Sequence, residues 1–207
     1  MGITGLVEPL QDLAAIPAER GPATSYAFKP SLIGAAHRFE LTEQGLSWRV
    51  AGRFGLWPYA DIVTVRLSYR PVSMQSHRFR ADIGNIDGSR LSILSTSWQT
   101  AALMQAQDSE YRAFVTELHA RMAKAGSRAR LMGGLGPRVY AAAIFCVTLV
   151  AISMAGLLLR SVTSGEWAGT LFLIGFAALF GWQVGGFVMR NRPLVYTFDD
   201  LPKALLP

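Results

Sequence analysis

Cysteine and histidine are scarce in this 207-residue sequence, and this limits its metal and redox chemistry. Cys146 is the one cysteine, so the chain cannot form an intramolecular disulfide or build a metal site from thiolates alone. The three histidines, His37, His77 and His119, lie far apart and lack the spacing of metal ligands. We therefore expect no metal site and no cofactor, and we assign the histidines structural or solvated roles.

Catalytic motifs are missing as well. The stretch MGGLG at 132–136 lacks the Lys-Ser/Thr pair of a phosphate-binding loop, and its glycines predict a flexible joint instead. The sequence contains neither a nucleophile elbow nor a paired Cys-His arrangement. Asp61 follows Pro58 at a bend, where an acidic residue usually supports a turn. We therefore predict a protein without catalytic residues or enzymatic activity.

The amino terminus lacks the pattern of a secretory signal. Such a signal has a basic start and an unbroken apolar core, whereas Glu8, Pro9 and Asp12 interrupt the apolar residues here. We predict a flexible leader over residues 1–30 and a soluble domain over residues 31–126.

Charge is nearly missing from residues 139–189, which contain only Arg160 and Glu166. The runs 139–159 and 167–189 contain no charged residue. A helix of about 20 residues crosses a hydrocarbon core of roughly 30 Å. The connector between the two runs is too short for further structure. The sequence therefore predicts an antiparallel transmembrane hairpin rather than two buried helices of a soluble domain.

Basic residues exceed acidic ones by six, and their positions predict the orientation of the hairpin. A basic joint over 127–138 precedes the first span, a tail over 190–207 follows the second, and the connector carries Arg160 alone. Because cytoplasmic flanks are enriched in Lys and Arg, both termini are expected in the cytoplasm and the connector outside. The basic residues before the first span form a topology signal, a contact for anionic lipid, or both: Arg121, Lys124, Arg128, Arg130 and Arg138.

Small residues recur in the second span, where Gly181 and Gly185 form a G-x-x-x-G pair. Such residues let helix backbones approach closely in lipid. The pair could form a dimerisation face. It could instead reflect packing of the two spans on each other, or the general richness of membrane helices in glycine. Neither span has an Asp, Glu, Lys or His at mid-membrane, and this disfavours a self-sufficient pump or transporter.

Short strands followed by one helix are predicted between residues 31 and 126. Segments 37–41 and 46–50 flank a turn with Gly45, and residues 62–69 alternate as a half-buried strand does. Asp87-Gly88 is a hairpin signal between two further strands. The helix carries one apolar stripe: Tyr111, Phe114, Val115, Leu118 and Met122. We predict an α+β domain of six or seven antiparallel strands closed by this helix.

The segments LWPYADIVTVRLSY at 56–69 and EYRAFVTELHARM at 110–122 resemble bacterial pleckstrin-homology-like (PH-like) domains of small membrane proteins. The ending NRPLVYTFDDLPKALLP at 191–207 is similar to the tails of two-span proteins of alphaproteobacteria. The resemblance implies a PH-like antiparallel β-barrel or sandwich with a C-terminal helix, followed by the two-helix hairpin. The resemblance implies no catalytic residues in this chain. The first hairpin has only Arg38 and Arg49 beside Glu40 and Glu43, which disfavours specific phosphoinositide binding.

These features favour a membrane-anchored interaction or regulatory module whose PH-like domain binds a membrane or cytoplasmic protein. The alternative is a small accessory subunit of a membrane enzyme or transporter that binds through its glycine-rich helices. The lipid bilayer is a partner in both cases, and a homo-oligomer is compatible with both. Nucleic acid is not expected, because the basic residues lie beside the membrane and the strands lack an aromatic-basic surface.

Overall fold

The computed structural model describes residues 24–70, 77–100 and 104–207. Nine strands precede the first long helix within these ranges: β1 (Ser25–Phe28), β2 (His37–Leu41), β3 (Leu46–Val50), β4 (Arg53–Trp57), β5 (Ile62–Tyr69), β6 (Phe79–Asn85), β7 (Arg90–Leu94), β8 (Thr96–Trp98) and β9 (Met104–Ala106). The remaining elements are α1 (Asp108–Lys124), β10 (Arg130–Gly133), α2 (Pro137–Thr163), α3 (Trp167–Arg190) and β11 (Leu194–Val195). The chain is therefore of the α+β class, with a hairpin of two apolar helices near its C-terminal end.

The strands form three sheets. Strands β1 to β4 make an antiparallel sheet in chain order, and β8 pairs with β9. The third sheet has the order β11-β10-β5-β6-β7, in which β10 runs parallel to β5 and the other pairs are antiparallel. The sheets do not close into a barrel in the part of the chain described. Eight of the described strands, β2 to β9, lie within residues 31–126, where six or seven were expected, and their pairs are antiparallel as expected. The parallel pair involves β10, which lies beyond residue 126.

The hydrophobic core receives side chains from the sheets and from α1. The predicted apolar stripe of α1 is confirmed, because all five of its residues are buried. The ring of Tyr26 on β1 lies 6.0 Å from that of Tyr111 and 5.7 Å from that of Phe114, both on α1. Burial of such apolar surface is the main favourable contribution to folding.

The domain starts before residue 31. Residues 25–28 form the edge strand β1, and both Tyr26 and Phe28 are buried. The ring of Phe28 stacks on that of Phe39 at 6.0 Å. The leader predicted over residues 1–30 is therefore wrong over its last residues, while residues 1–23 lie outside those that the structure describes.

The two-helix hairpin is inserted into the domain and does not simply follow it. The chain leaves the third sheet after Gly133 in β10 and returns as β11, where Leu194 pairs with Gly133. Beyond β11, Tyr196 and Leu205 are buried in the core of the domain. Residues 194–206 are thus an integral part of the domain rather than a separate tail, and the domain continues past the predicted limit of residue 126.

Helices α2 and α3 are each long and apolar enough to cross a membrane. At 1.5 Å per residue they measure roughly 40 Å and 36 Å, compared with a hydrocarbon core of about 30 Å. Their most apolar windows have no buried residues, so the protein itself does not cover them. The predicted runs 139–159 and 167–189 fall within α2 and α3, and the arrangement is consistent with a two-pass membrane protein.

Candidate functional site

The joint between the hairpin and the domain is held by the side chain of Asn191, the residue after α3. Its Nδ2 donates to the carbonyl oxygen of Tyr69 at 2.8 Å, and the Tyr69 amide donates to its Oδ1 at 3.1 Å. The amide of Leu135, just before α2, donates to the Asn191 carbonyl at 3.0 Å. Because Asn191 is fully buried, both connections to the hairpin are fixed to the end of β5 in a dry environment.

Gly134 makes this close approach possible. Its φ is +74°, a conformation that favours glycine, and an added Cβ would lie 2.5 Å from the Asn191 carbonyl oxygen. Its amide also donates to the Leu67 carbonyl at 2.8 Å. The stretch MGGLG was expected to be a flexible joint. That expectation is wrong, since Arg130–Gly133 is the strand β10 and the amides of Gly134 and Leu135 are both hydrogen-bonded.

The five basic residues predicted to lie beside the membrane are spread over the domain. The β5–β10 pair defines two ends: a membrane end at Tyr69 and Gly133, next to α2 and α3, and a far end at Ile62 and Arg130. Four of the five lie at the far end or in the segment that leads to it from the last turn of α1: Arg121, Lys124, Arg128 and Arg130. The side chain of Arg121 is bonded to Glu117 at 2.7 Å and to the Leu41 carbonyl at 2.9 Å.

Arg138 alone of the five lies at the membrane end. Other arginines lie there too, including exposed Arg70, which directly follows Tyr69. Arg190 ends α3 with its guanidinium 5.0 Å from the centre of the Tyr69 ring, and Arg192 follows two residues later. The Nη1 of Arg66 lies 3.8 Å from the position a Cβ would take at Gly136. We call Arg66, Arg138, Arg190 and Arg192 the membrane-end arginines. Sequence analysis missed Arg66, because only the parallel pairing of β5 with β10 brings it to the hairpin.

The outer face of the first sheet carries a second notable surface. Arg38 on β2 lies directly opposite Arg49 on β3, and Arg49 lies opposite Phe54 on the edge strand β4. Phe54 is 79% exposed, and Leu56 on the same face is 43% exposed. A concavity of about 810 Å³ lies over this face. We call Arg38, Arg49, Phe54 and Leu56 the sheet patch.

The inner side of the same strands is packed tightly, which holds the patch in place. The Trp48 ring lies over Gly55, where an added Cβ would approach Trp48 Cζ2 to 2.8 Å. Trp48 also packs edge-on against Trp57 with ring centres 5.8 Å apart. The turn from β3 to β4 has positive φ at Ala51 (48°) and Gly52 (78°), the values of a type I′ hairpin.

A groove of about 420 Å³ runs between α2 and α3. Gly181 and Gly185 line it on α3, and Ala151 and Ala155 line it on α2. A Cβ added at either glycine would meet no atom within 4 Å, so these glycines do not hold the two helices together. The close approach occurs near the connector instead, where a hydrogen bond of 2.9 Å joins Ser161 and Thr170.

The three histidines have different surroundings in the described ranges. No group of three His, Cys, Asp or Glu residues there has a geometry that would hold a metal ion. His119 is buried, with Nδ1 2.7 Å from the Val115 carbonyl and Nε2 3.0 Å from the Tyr196 hydroxyl. Burial lowers its pKa below the ordinary value of 6.5. His37 lies on β2 and also has a pKa lowered by burial, whereas His77 contacts the hydroxyl of Tyr69.

Comparison with known proteins adds no relative: no family model, no curated protein and no solved structure matches this chain. The functional interpretation therefore depends on the surfaces described above.

Proposed function

We propose that this chain is a membrane-anchored interaction or regulatory module, without enzymatic activity, whose PH-like domain faces the cytoplasm of a bacterial inner membrane. The observation that supports it best is the sheet patch on a domain joined rigidly to two candidate spans. Phe54 and Leu56 lie two residues apart on the same face of β4, so their exposed apolar side chains form a contiguous surface of the kind that partner proteins cover.

The charges of the patch indicate the chemistry of the partner. Like charges directly opposite each other on neighbouring strands destabilise a sheet. Arg38 and Arg49 form such a pair, with Phe54 next in the row, and Glu40 is the one acidic residue that lines the same concavity. A partner segment that carries an acidic side chain beside an apolar one would relieve the repulsion and cover Phe54. We therefore propose an acidic and apolar polypeptide as the ligand of the patch.

Strand β4 offers this partner a backbone edge as well. It pairs with β3 and with no other strand among the residues described. An edge strand presents N–H and C=O groups that an extended peptide can pair with. The partner segment would then add a fifth strand beside β4 and place its alternate side chains on the patch.

Site-specific crosslinking of the full chain in its native membrane tests this proposal. A photoreactive residue at position 54 should give a discrete adduct, and Arg49→Glu should suppress it through charge repulsion. A photoreactive residue at position 86 is the matched control, because Ile86 is 70% exposed but lies in the turn between β6 and β7, away from the patch. Equal crosslinking from both positions, or an adduct indifferent to Arg49→Glu, would contradict a partner at the patch.

A second candidate function is supported by the open groove between the helices. In this alternative the chain is a small accessory subunit of a membrane enzyme or transporter, and a helix of the larger protein lies against Gly181 and Gly185. The space around both glycines favours it, since small residues accept a closely packed helix. Gly181→Leu with Gly185→Leu should abolish assembly, whereas Gly175→Leu, outside the groove and equally open, should not.

Cysteine labelling tests the orientation in the full chain. In a Cys146→Ala background, Ser164→Cys in the connector should react with a membrane-impermeant maleimide in intact cells. Lys124→Cys on the domain should react only after lysis. The opposite pattern would place the domain outside the cytoplasm and overturn this part of the proposal.

A further inference from the structure

We propose that the membrane-end arginines bind the headgroups of anionic phospholipids and so fix the domain against the bilayer surface. The inference requires that α2 and α3 span a bilayer, but it does not depend on the sheet patch or its partner. It assigns the lipid contact to residues that are scattered along the sequence, not to the basic run before the first span.

The placement of these four residues carries the proposal. Arg138 is the second residue of α2 and Arg190 is the last of α3, so both occupy the level at which the helices enter the domain. Arg192 extends from the loop that joins α3 to β11. The side chains of these three are exposed, and a bilayer around the two helices would bring its phosphate groups to the same level.

Among the residues that the structure describes, no ion pair neutralises the charges at the membrane end. The ion pairs within the described ranges are Arg80–Asp82 and Arg121–Glu117, and neither includes a membrane-end arginine. Asp82 lies opposite Arg66, but Asp82 is bonded to Arg80 at 2.7 Å and to Ser92 at 2.5 Å. Arg66 extends the other way, with its Nη2 3.4 Å from the Met132 sulfur and its Nη1 toward Gly136.

The rigid joint turns these charges into a defined site. Asn191 and the residues around Gly134 are hydrogen-bonded to the end of β5, so the two helix ends that carry Arg138 and Arg190 are tied to the strand that carries Arg66. A guanidinium presents a planar set of donors that matches a phosphate. An anionic headgroup bound there would limit the tilt of the domain relative to the membrane.

The test measures which lipids stay with the full chain. The protein is reconstituted into vesicles of phosphatidylcholine with a minor share of phosphatidylglycerol and then extracted in mild detergent, and the retained headgroups are quantified by mass spectrometry. Phosphatidylglycerol should be enriched, and added salt should reduce the enrichment because screening weakens contacts between exposed charges. Replacing Arg138, Arg190 and Arg192 by Gln should reduce its preference about a hundredfold, at roughly fivefold per arginine.

A matched control removes the same number of charges from the far end. Lys124, Arg128 and Arg130 are exposed like the first three, so their replacement by Gln should leave the enrichment unchanged. If the three-residue membrane-end variant unfolds, the double variant Arg138→Gln with Arg192→Gln can replace it, because it spares the Arg190–Tyr69 contact. Its preference for phosphatidylglycerol should still fall about thirtyfold.

Three outcomes would overturn the proposal. The first is no enrichment of phosphatidylglycerol by the unaltered protein. The second is an equal loss in the membrane-end and far-end variants, which would indicate an effect of net charge alone. The third is displacement of the lipid by inorganic phosphate at matched concentration, which would assign the arginines to a soluble anion.

Discussion

The side-chain amide of Asn191 pairs with both backbone groups of Tyr69, at 2.8 Å and 3.1 Å, as a neighbouring strand would. Strand β10 pairs with β5 as far as Leu67 and then turns away at Gly134 toward α2. Without Asn191, the next outward-pointing backbone groups of β5 would be buried and unpaired. One residue after α3 therefore completes the sheet and fastens the hairpin to it.

Asn191→Leu should destabilise the domain. The substitution keeps the approximate size of the side chain but leaves the Tyr69 N–H and C=O without partners, at roughly 1–3 kcal/mol for each buried group. We expect the free energy of unfolding to fall by about 2–5 kcal/mol. The measurement is thermal unfolding of the full chain in detergent, monitored by tryptophan fluorescence.

Gln99→Leu serves as the control for Asn191→Leu, because it removes a side-chain amide that is exposed. It should leave the unfolding temperature unchanged. If Asn191→Leu also left it unchanged, the paired amide would not contribute to stability, and the joint would not be the fixed element described here.

Gly134→Ala should be more costly than Gly52→Ala. Both glycines have positive φ, +74° and +78°, so both substitutions carry the strain of a left-handed residue, about 1–2 kcal/mol. An added Cβ at Gly52 meets nothing within 4 Å, whereas at Gly134 it overlaps the carbonyl groups of Asn191 and Arg192. Hydrogen exchange at Leu135 and Tyr69 should accelerate only in Gly134→Ala. Equal effects of the two variants would contradict a close approach at Gly134.

Local pattern was enough to predict much of the fold. The strand at residues 62–69, the Asp87-Gly88 turn and the apolar stripe of α1 are confirmed, because each depends on neighbours within a few residues. The alternation within that strand holds only in part: a register shift between Ile62 and Thr64 leaves Val63 exposed, and Ser68 is buried. The turn glycine Gly45 was also identified, but for another reason: its Cβ would overlap the carbonyl of Trp57, which the chain brings in from β4.

Features that depend on distant pairings were not predictable. β10 is four residues long and lies among glycines and arginines, so nothing local indicates its parallel pairing with β5. The insertion of the hairpin between β10 and β11, and the burial of Leu205, follow from that pairing. The membrane-end arginines and the sheet patch were not predictable for the same reason: cross-strand register, rather than sequence spacing, brings their residues together.

Ala51→Asn should stabilise the domain. Ala51 has φ of +48° at the first central position of the β3–β4 turn, followed by Gly52. Asn-Gly is the preferred pair for a type I′ turn, and Asn tolerates this region better than Ala does. We expect a gain of about 0.5–1 kcal/mol in the free energy of unfolding. Ala123→Asn at an exposed site of α1 should instead cost about 0.5 kcal/mol, and a gain there would remove the conformational explanation.

Acidification should destabilise the domain through His119. Burial lowers the pKa of His119 below 6.5, so the unfolded chain binds its proton more readily than the folded one. The stability is fully present above about pH 6.5 and is lost as the pH falls from there toward the folded pKa. Unfolding temperatures in detergent should therefore fall between about pH 7.5 and pH 5.

The double variant His119→Phe with Tyr196→Phe isolates this effect. It replaces both partners of the buried hydrogen bond by apolar groups of similar shape, so the fold should survive at neutral pH. Its unfolding temperature should depend less on pH than that of the unaltered protein. The remaining dependence should fall further with His37→Gln, because burial also lowers the pKa of His37. An unchanged pH dependence in the His119 and Tyr196 variant would show that other groups set the acid sensitivity.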